Sequence, residues 1–164
     1  MSQDLEAVPS SRSYVEMTEI VMPNDANPLG NCMGGRVMHW IDVAAAIAAG
    51  RHARGPVVTA SVDQLDFLHP VKVGSVIVLK AAVNYAHRTS MECGVKVWTE
   101  DRTTRRLYHV ASAYLTFVAL DRETGRPRPI PEIAPETEEE VRRFEEAKRR
   151  RAARLAHRAG DAGG

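Results

Sequence analysis

Apolar and polar positions along the chain follow two different periods, and the switches between them mark the elements. SYVEMTEIV (Ser13 to Val21) alternates as a strand does, with one glutamate on each side. MPNDANPLGN gathers the residue types that favour turns, and predicts a loop. From Gly34-Gly35 the period changes: Val37, Met38, Ile41, Ala45, Ala48 and Ala49 recur at helical spacing. They predict a helix of about four turns ending near Gly50, with Arg51 and His52 facing its terminal carbonyls. After Gly55-Pro56 the period returns to two and holds for about 65 residues. In VVTASVDQLDFLHP the apolar set runs Val58, Ala60, Val62 and then shifts to Leu65 and Phe67, which predicts a bulge near Asp63-Gln64. SVIVLKAAVNYAHR and SMECGVKVWTE follow, the latter setting Met91, Cys93, Val95 and Val97 against Glu92, Lys96, Trp98 and Glu100. LYHVASAYLTFVALD is apolar on both sides and predicts a central strand.

Strand, one long helix, then four long strands implies an α+β fold in which an antiparallel sheet covers a single helix. Residues 1–12 read as a disordered N-terminus, 13–124 as the folded domain and 125–136, with four prolines, as a linker. Residues 137–164 read as a charged C-terminal helix and tail. Thr137 and Glu140 form a capping box, and Glu138/Arg142, Glu139/Arg143, Glu145/Arg149 and Glu146/Arg150 are spaced as i,i+4 ion pairs. Val141, Phe144 and Leu155 form only a thin apolar stripe, so this helix is expected to be solvated. With one helix shielding one side of the sheet, the open edges predict a homo-oligomer.

The 164 residues suit one core, and 44% hydrophobic with 26% charged is globular composition. A net charge of +1 gives no ground for nucleic acid or an anionic membrane as partner, so an anionic ligand must be held locally. No segment approaches the roughly 18 apolar residues of a membrane span, and a cytoplasmic location is expected. Cys32 and Cys93 lack CxxC spacing and read as reduced thiols. The six histidines show no metal-ligand spacing, and no GxSxG elbow is present.

Four segments in order, PNDANPLGNCMGGRVMHWID, then Arg51-His52, then VVTASVDQLDFLHPVKVG, then RTSMECGVKV, resemble the hotdog-fold acyl-CoA thioesterases, in the branch of bacterial and mammalian cytosolic acyl-CoA hydrolases. The resemblance covers roughly residues 14–121. It implies a five- or six-stranded antiparallel sheet wrapped around one helix, and homodimers or homohexamers. It also implies hydrolysis of acyl-CoA to fatty acid and coenzyme A at sites between two subunits. No metal and no cofactor is implied, coenzyme A being part of the substrate.

Thioester hydrolysis needs an activated nucleophile, a cradle for the developing oxyanion, and a grip on the leaving group. The backbone of Gly34 and Gly35, at the start of the helix, can polarise the carbonyl, and the missing side chains allow close approach; tight helix–sheet packing is the other use of such glycines. The resemblance assigns Asp42 as general base or nucleophile and Asn27 as the residue that orients water or the carbonyl, with Asn31 a second candidate. Against these stand an Asp42 that bonds a neighbouring amide and an Asn27 that caps its own turn. Thr59 and Ser61 share a strand face and could line the channel, or act as structural hydroxyls. Arg88, Thr89 and Ser90 lie where the family contacts coenzyme A, although Arg88 could equally be a solvated turn residue. Lys148 to Arg151 read first as a charged helix face, and second as attraction for the coenzyme's 3′-phosphate. Two further functions compete: a non-catalytic acyl-CoA-binding protein, and a hotdog dehydratase relying on His39.

Overall fold

The computed structural model describes residues 5–63 and 65–163. A 3-10 turn at Ser10–Ser13 leads into β1 (Val15–Ile20), and a second at Pro23–Asp25 precedes α1 (Gly34–Ala53). Then come β2 (Val57–Val62), β3 (Val76–His87), β4 (Ser90–Glu100), β5 (Leu107–Ala119) and α2 (Glu138–Asp161). The five strands form one antiparallel sheet in the order β1-β3-β4-β5-β2, and the α+β class read from the sequence holds. α1 packs on the inner face, where Ala44, Ala45, Ala48 and Ala49 are fully buried against Leu79, Val95, Val97 and Leu115. Methyl groups alone separate the helix backbone from the sheet, so the two can approach closely. The parity read for β4 is observed: Met91, Cys93, Val95 and Val97 point inward.

Several elements depart from the sequence reading. α1 continues through Gly50 to Ala53 and ends at Arg54, whose φ of 52° is left-handed and whose N–H bonds the Gly50 carbonyl at 2.8 Å. An interior glycine costs a helix about 1 kcal/mol, and here the extra turn buries His52 and Ala53. β2 has only six residues; beyond it the Asp63 and Leu68 N–H groups still bond the β5 carbonyls of Tyr114 and Val110, at 3.0 and 2.8 Å, outside any regular strand. The register shift falls between Thr59 and Ser61, earlier than expected; Gln64, half of the expected bulge, lies outside the described residues. β5, in agreement with its two-sided apolar pattern, is interior, between β4 and the edge strand β2.

The N-terminal residues from position 5 are not loose. Before β1 begins, at Val15 opposite Ala81, the next edge residue Val83 would leave its backbone unpaired on that side. Ser13 Oγ accepts the Val83 N–H (2.8 Å) and Ser10 Oγ donates to the Val83 carbonyl (2.6 Å), so two buried hydroxyls extend the ladder. Val8 bridges to Ile133, and Ile130 and Ile133 enter the same hydrophobic core. The segment read as a linker is thus packed against the domain; His52 Nε2 also donates to the Pro131 carbonyl at 2.7 Å.

α2 is docked on the outer sheet face rather than solvated. Its capping box forms as read, and Glu139–Arg143 and Glu146–Arg150 are two of the four expected pairs. Arg142 instead reaches forward to Glu146 at 3.0 Å. What the apolar stripe concealed is Glu92, only 2% exposed near the start of β4. It accepts from Arg150 Nε (3.1 and 3.2 Å) and Nη2 (2.7 Å) and from Arg154 Nη1 (3.3 Å). Ala147 is fully buried between them, Phe144 meets Tyr85 edge-on, and the Arg150 guanidinium lies 3.6 Å from the Tyr114 ring centre. Arg150 is therefore an anchor, not part of a solvated basic face.

Candidate active site

Asp42 sits in the middle of α1 with its carboxylate half-buried, at a cavity of about 330 Å³. Met38, Ile41, Val62, Leu65 and Leu115 supply apolar walls; His39, Asp42 and Thr59 supply the polar atoms. Thr59 Oγ1 donates to Asp42 Oδ1 at 2.7 Å. This fixes one carboxylate oxygen and leaves Oδ2 without a partner among the described residues. The β2 bulge makes this contact possible. With Ala60 as the extra residue, Thr59 and Val62 face α1, whereas Ala60 and Ser61 both face the outer side beneath α2. Thr59 and Ser61 therefore do not share a face, and Ser61 does not line this cavity, because a bulge between them inverts the alternation that the sequence suggested.

At the head of α1, neither the Gly34 nor the Gly35 N–H has an acceptor among the described residues; Arg36 and Val37 bond the Met33 carbonyl at 3.0 and 3.3 Å. Two free donors at the positive end of the helix dipole face outward. A Cβ on Gly34 would touch the Phe67 ring at 3.3 Å, while one on Gly35 would meet nothing within 4 Å. Packing within the chain thus gives Gly35 no reason to be glycine.

The loop before α1 is held by Asp25, a buried residue to which sequence reasoning gave no role. Its Oδ1 pairs with Arg36 Nε at 2.8 Å, its Oδ2 accepts the Met22 N–H at 2.9 Å, and its carbonyl accepts the Met33 N–H at 2.8 Å. Buried carboxylates demand such partners, which is the only signal that could have marked it. Asn27 Oδ1 accepts the N–H groups of Leu29 (3.0 Å) and Asn31 (3.2 Å), so its side-chain carbonyl caps the turn. Its Nδ2 has no partner among the described residues and is free to donate. Asn31 lines a neighbouring cavity of about 370 Å³ with Cys32, Gly34 and Phe67. Burial first, and Asp25 second, push the Cys32 thiol up, against a weaker pull from Arg36. Complete burial pushes the Cys93 thiol well above the ordinary range. Neither is an activated nucleophile.

The Arg88–Ser90 turn joins β3 to β4 with Arg88 exposed at φ 57°. The Arg88 carbonyl accepts the Ile130 N–H and the Thr89 carbonyl the Ala119 N–H. This places the turn at the Ala53 end of the fold, the far end of α1 from Gly34, about 28 Å away at the helical rise. One chain therefore brings Asp42 and Thr59 together, but not with Asn27, Gly35 or Arg88. Gly34 to Asp42 alone spans about 12 Å along the helix axis. Among the described residues, no group of three or more histidine, cysteine or acidic side chains could hold a metal ion, and no helix is long and apolar enough to cross a membrane.

Residues 29–105 match the model of the thioesterase superfamily. The chain is 43% identical over 129 residues to the uncharacterized acyl-CoA thioester hydrolase YkhA of Bacillus subtilis, covering 79% of this chain and 74% of that one. Among solved structures, it is similar to an acyl-CoA hydrolase from Staphylococcus aureus in complex with butyryl coenzyme A and coenzyme A, at TM-score 0.88 and 38% identity over 94% of both chains. It is also similar to an apo-hexameric acyl-CoA thioesterase, at TM-score 0.90 and 39% identity over 94% of this chain and 99% of that one. Structures of the Staphylococcus aureus hydrolase include variants with an aspartate, an asparagine or a threonine replaced by alanine.

Proposed function

This chain belongs to the thioesterase superfamily, and from that premise we propose that it hydrolyses acyl-CoA to a fatty acid and coenzyme A at a site shared by two subunits. The observation that carries the proposal is the half-buried Asp42 carboxylate, oriented by Thr59 in an apolar cavity with its second oxygen unbonded among the described residues. Asp42 takes a proton from water as the water oxygen bonds to the thioester carbon. Collapse of the tetrahedral intermediate breaks the C–S bond, and the proton passes to the departing sulfur. Direct attack by Asp42 Oδ2 gives a mixed anhydride instead, which water then opens.

The helix geometry supports a shared site. Reacting groups need to approach within about 3–3.5 Å, and about 12 Å separates Asp42 from the Gly34 amide of its own helix. A base and an oxyanion cradle serving one carbonyl therefore come from different chains: Asp42 and Thr59 from one, and the Gly34-Gly35 amides with Asn27 Nδ2 from its partner. The edge strand β2, with Val58 and Val62 exposed, offers a seam for that association. The hexameric relative agrees with an oligomer, and we assign the Arg88–Ser90 turn to the coenzyme's phosphates on the chemistry of its guanidinium and hydroxyls. Two free thiols agree with a reducing compartment such as the cytoplasm.

The test is complementation. Asp42→Ala and Asn27→Ala chains, each inactive in free-thiol release from an acyl-CoA panel, are unfolded and refolded together. A two-fold shared site restores one intact site per mixed dimer, about a quarter of wild-type activity. No recovery despite mixed dimers means that the site is not shared. Undiminished thiol release by Asp42→Ala alone overturns the mechanism, and saturable acyl-CoA binding without thiol release by the wild type makes the protein a non-catalytic binder.

A further inference from the structure

We propose that the cleft between α2 and the outer face of the sheet is a second binding site, for a small phosphate-bearing anion. Register places Lys80 on β3 directly opposite Lys96 on β4. Like charges facing each other across a ladder destabilise a sheet, so the pair needs a reason. Neither lysine has a carboxylate partner among the described residues: Lys80 Nζ lies 5.5 Å from the Trp98 ring centre, and Lys96 makes no ion pair or hydrogen bond. Glu16, opposite Lys80 on β1, accepts the Tyr14 hydroxyl instead, at 3.1 Å.

Between the two lysines and α2 the floor is made of small residues, Ala82, Gly94 and Ser112, leaving a cavity of about 190 Å³. α2 closes it with Arg142, Arg143 and Arg150, and Glu146 is the one carboxylate in the lining. Arg150 is committed to Glu92, and Arg142 and Arg143 bond Glu146 and Glu139. Lys80 and Lys96 are therefore the cations of this cleft that make no ion pair among the described residues, with Glu16 facing Lys80 from β1 but bonded to the neutral Tyr14 hydroxyl. His109 Nε2 lies 3.0 Å from Ser112 Oγ, which can accept from it and turn its own proton toward a ligand. Converging cations in a half-enclosed cleft match phosphate oxygens in charge and donor chemistry. The sheet separates this cleft from Asp42, so the site is distinct from that of the thioester.

Isothermal titration of the full chain with pyrophosphate, against sodium chloride at matched ionic strength, tests the proposal. Wild type is expected to show saturable binding, and Lys80→Gln/Lys96→Gln binding at least tenfold weaker. Without anion, the double variant is expected to melt no lower than wild type, because the opposed charges are gone. If it fails to fold, Lys96→Gln alone serves the same purpose. Coenzyme A, which carries phosphates of its own, is the second arm. Displacement of pyrophosphate by coenzyme A identifies the coenzyme as the source of the phosphate, and independent binding identifies a separate phosphate compound. Heat no greater than in the chloride control, or unchanged affinity in the lysine variants, overturns the proposal.

Discussion

Replacing Thr59 by valine removes one hydroxyl and almost nothing else. The lost interaction is the 2.7 Å bond from Thr59 Oγ1 to Asp42 Oδ1. Hydrogen bonds to charged groups contribute about 1.5–3 kcal/mol, and the exposure of Thr59 on an edge strand argues for the lower end. A loss of about 1.4 kcal/mol in the transition state is about tenfold in kcat/KM. Valine is nearly isosteric and suits a strand, and an exposed substitution of this kind moves stability by no more than about 0.5 kcal/mol. Thr59→Ser keeps the donor and is expected to retain most of the activity. The assay is thiol release from acyl-CoAs of increasing chain length, with a thermal melt of each variant alongside. Full kcat/KM in Thr59→Val, or equal losses in the serine and valine variants, would refute the claim that this hydroxyl orients the base.

Three other substitutions extend the test. Asp42→Asn is expected to lower kcat by about 10²–10⁴, with His39→Ala changing it far less; the reverse order would shift the chemistry to the histidine that lines the same cavity. Glu92→Gln removes the charge facing Arg150 and Arg154 and should cost about 2–3 kcal/mol. Hydrogen exchange should then quicken in α2 while β4 stays protected, and equal loss in both would mean that the carboxylate holds the sheet rather than the helix. His52 is buried, which lowers its pKa below the ordinary value of 6.5, so the unfolded chain gains its proton first. Stability should therefore be level above 6.5 and fall as pH drops through the window beneath it. His52→Gln, which can still donate to the Pro131 carbonyl, should flatten that fall in urea midpoints, and an unchanged slope would point to another group.

How much the sequence disclosed depended on the range of each interaction. The buried face of β4 and the alanine face of α1 were legible because local periodicity dictates them. So was the Thr137–Glu140 capping box, a contact three residues long. The placement of Ser61 was misread because a one-residue bulge depends on pairing with β5, which adjacent residues do not encode. Ser10 and the proline-rich segment looked loose because their partners lie more than 70 residues away along the chain. Glu92 looked like an ordinary outward glutamate, since its arginines come from a helix 58 and 62 positions later. Asp42 and Gly34-Gly35 were singled out as candidates, yet the distance between them becomes a constraint only on a real helix axis.

The alanines of α1 carry a consequence for engineering. Ala44, Ala45, Ala48 and Ala49 are fully buried and act as a gauge block between helix and sheet. A larger side chain at any of them forces the sheet outward, since close-packed interiors do not absorb added methylenes freely. In the shared site proposed above, the reacting groups stand on helices spaced by that gauge, so a widened gap would misalign them together. Substrate range and turnover would then respond to residues that no acyl chain ever touches, and screens confined to the cavity walls would pass over the adjustment with the greatest leverage.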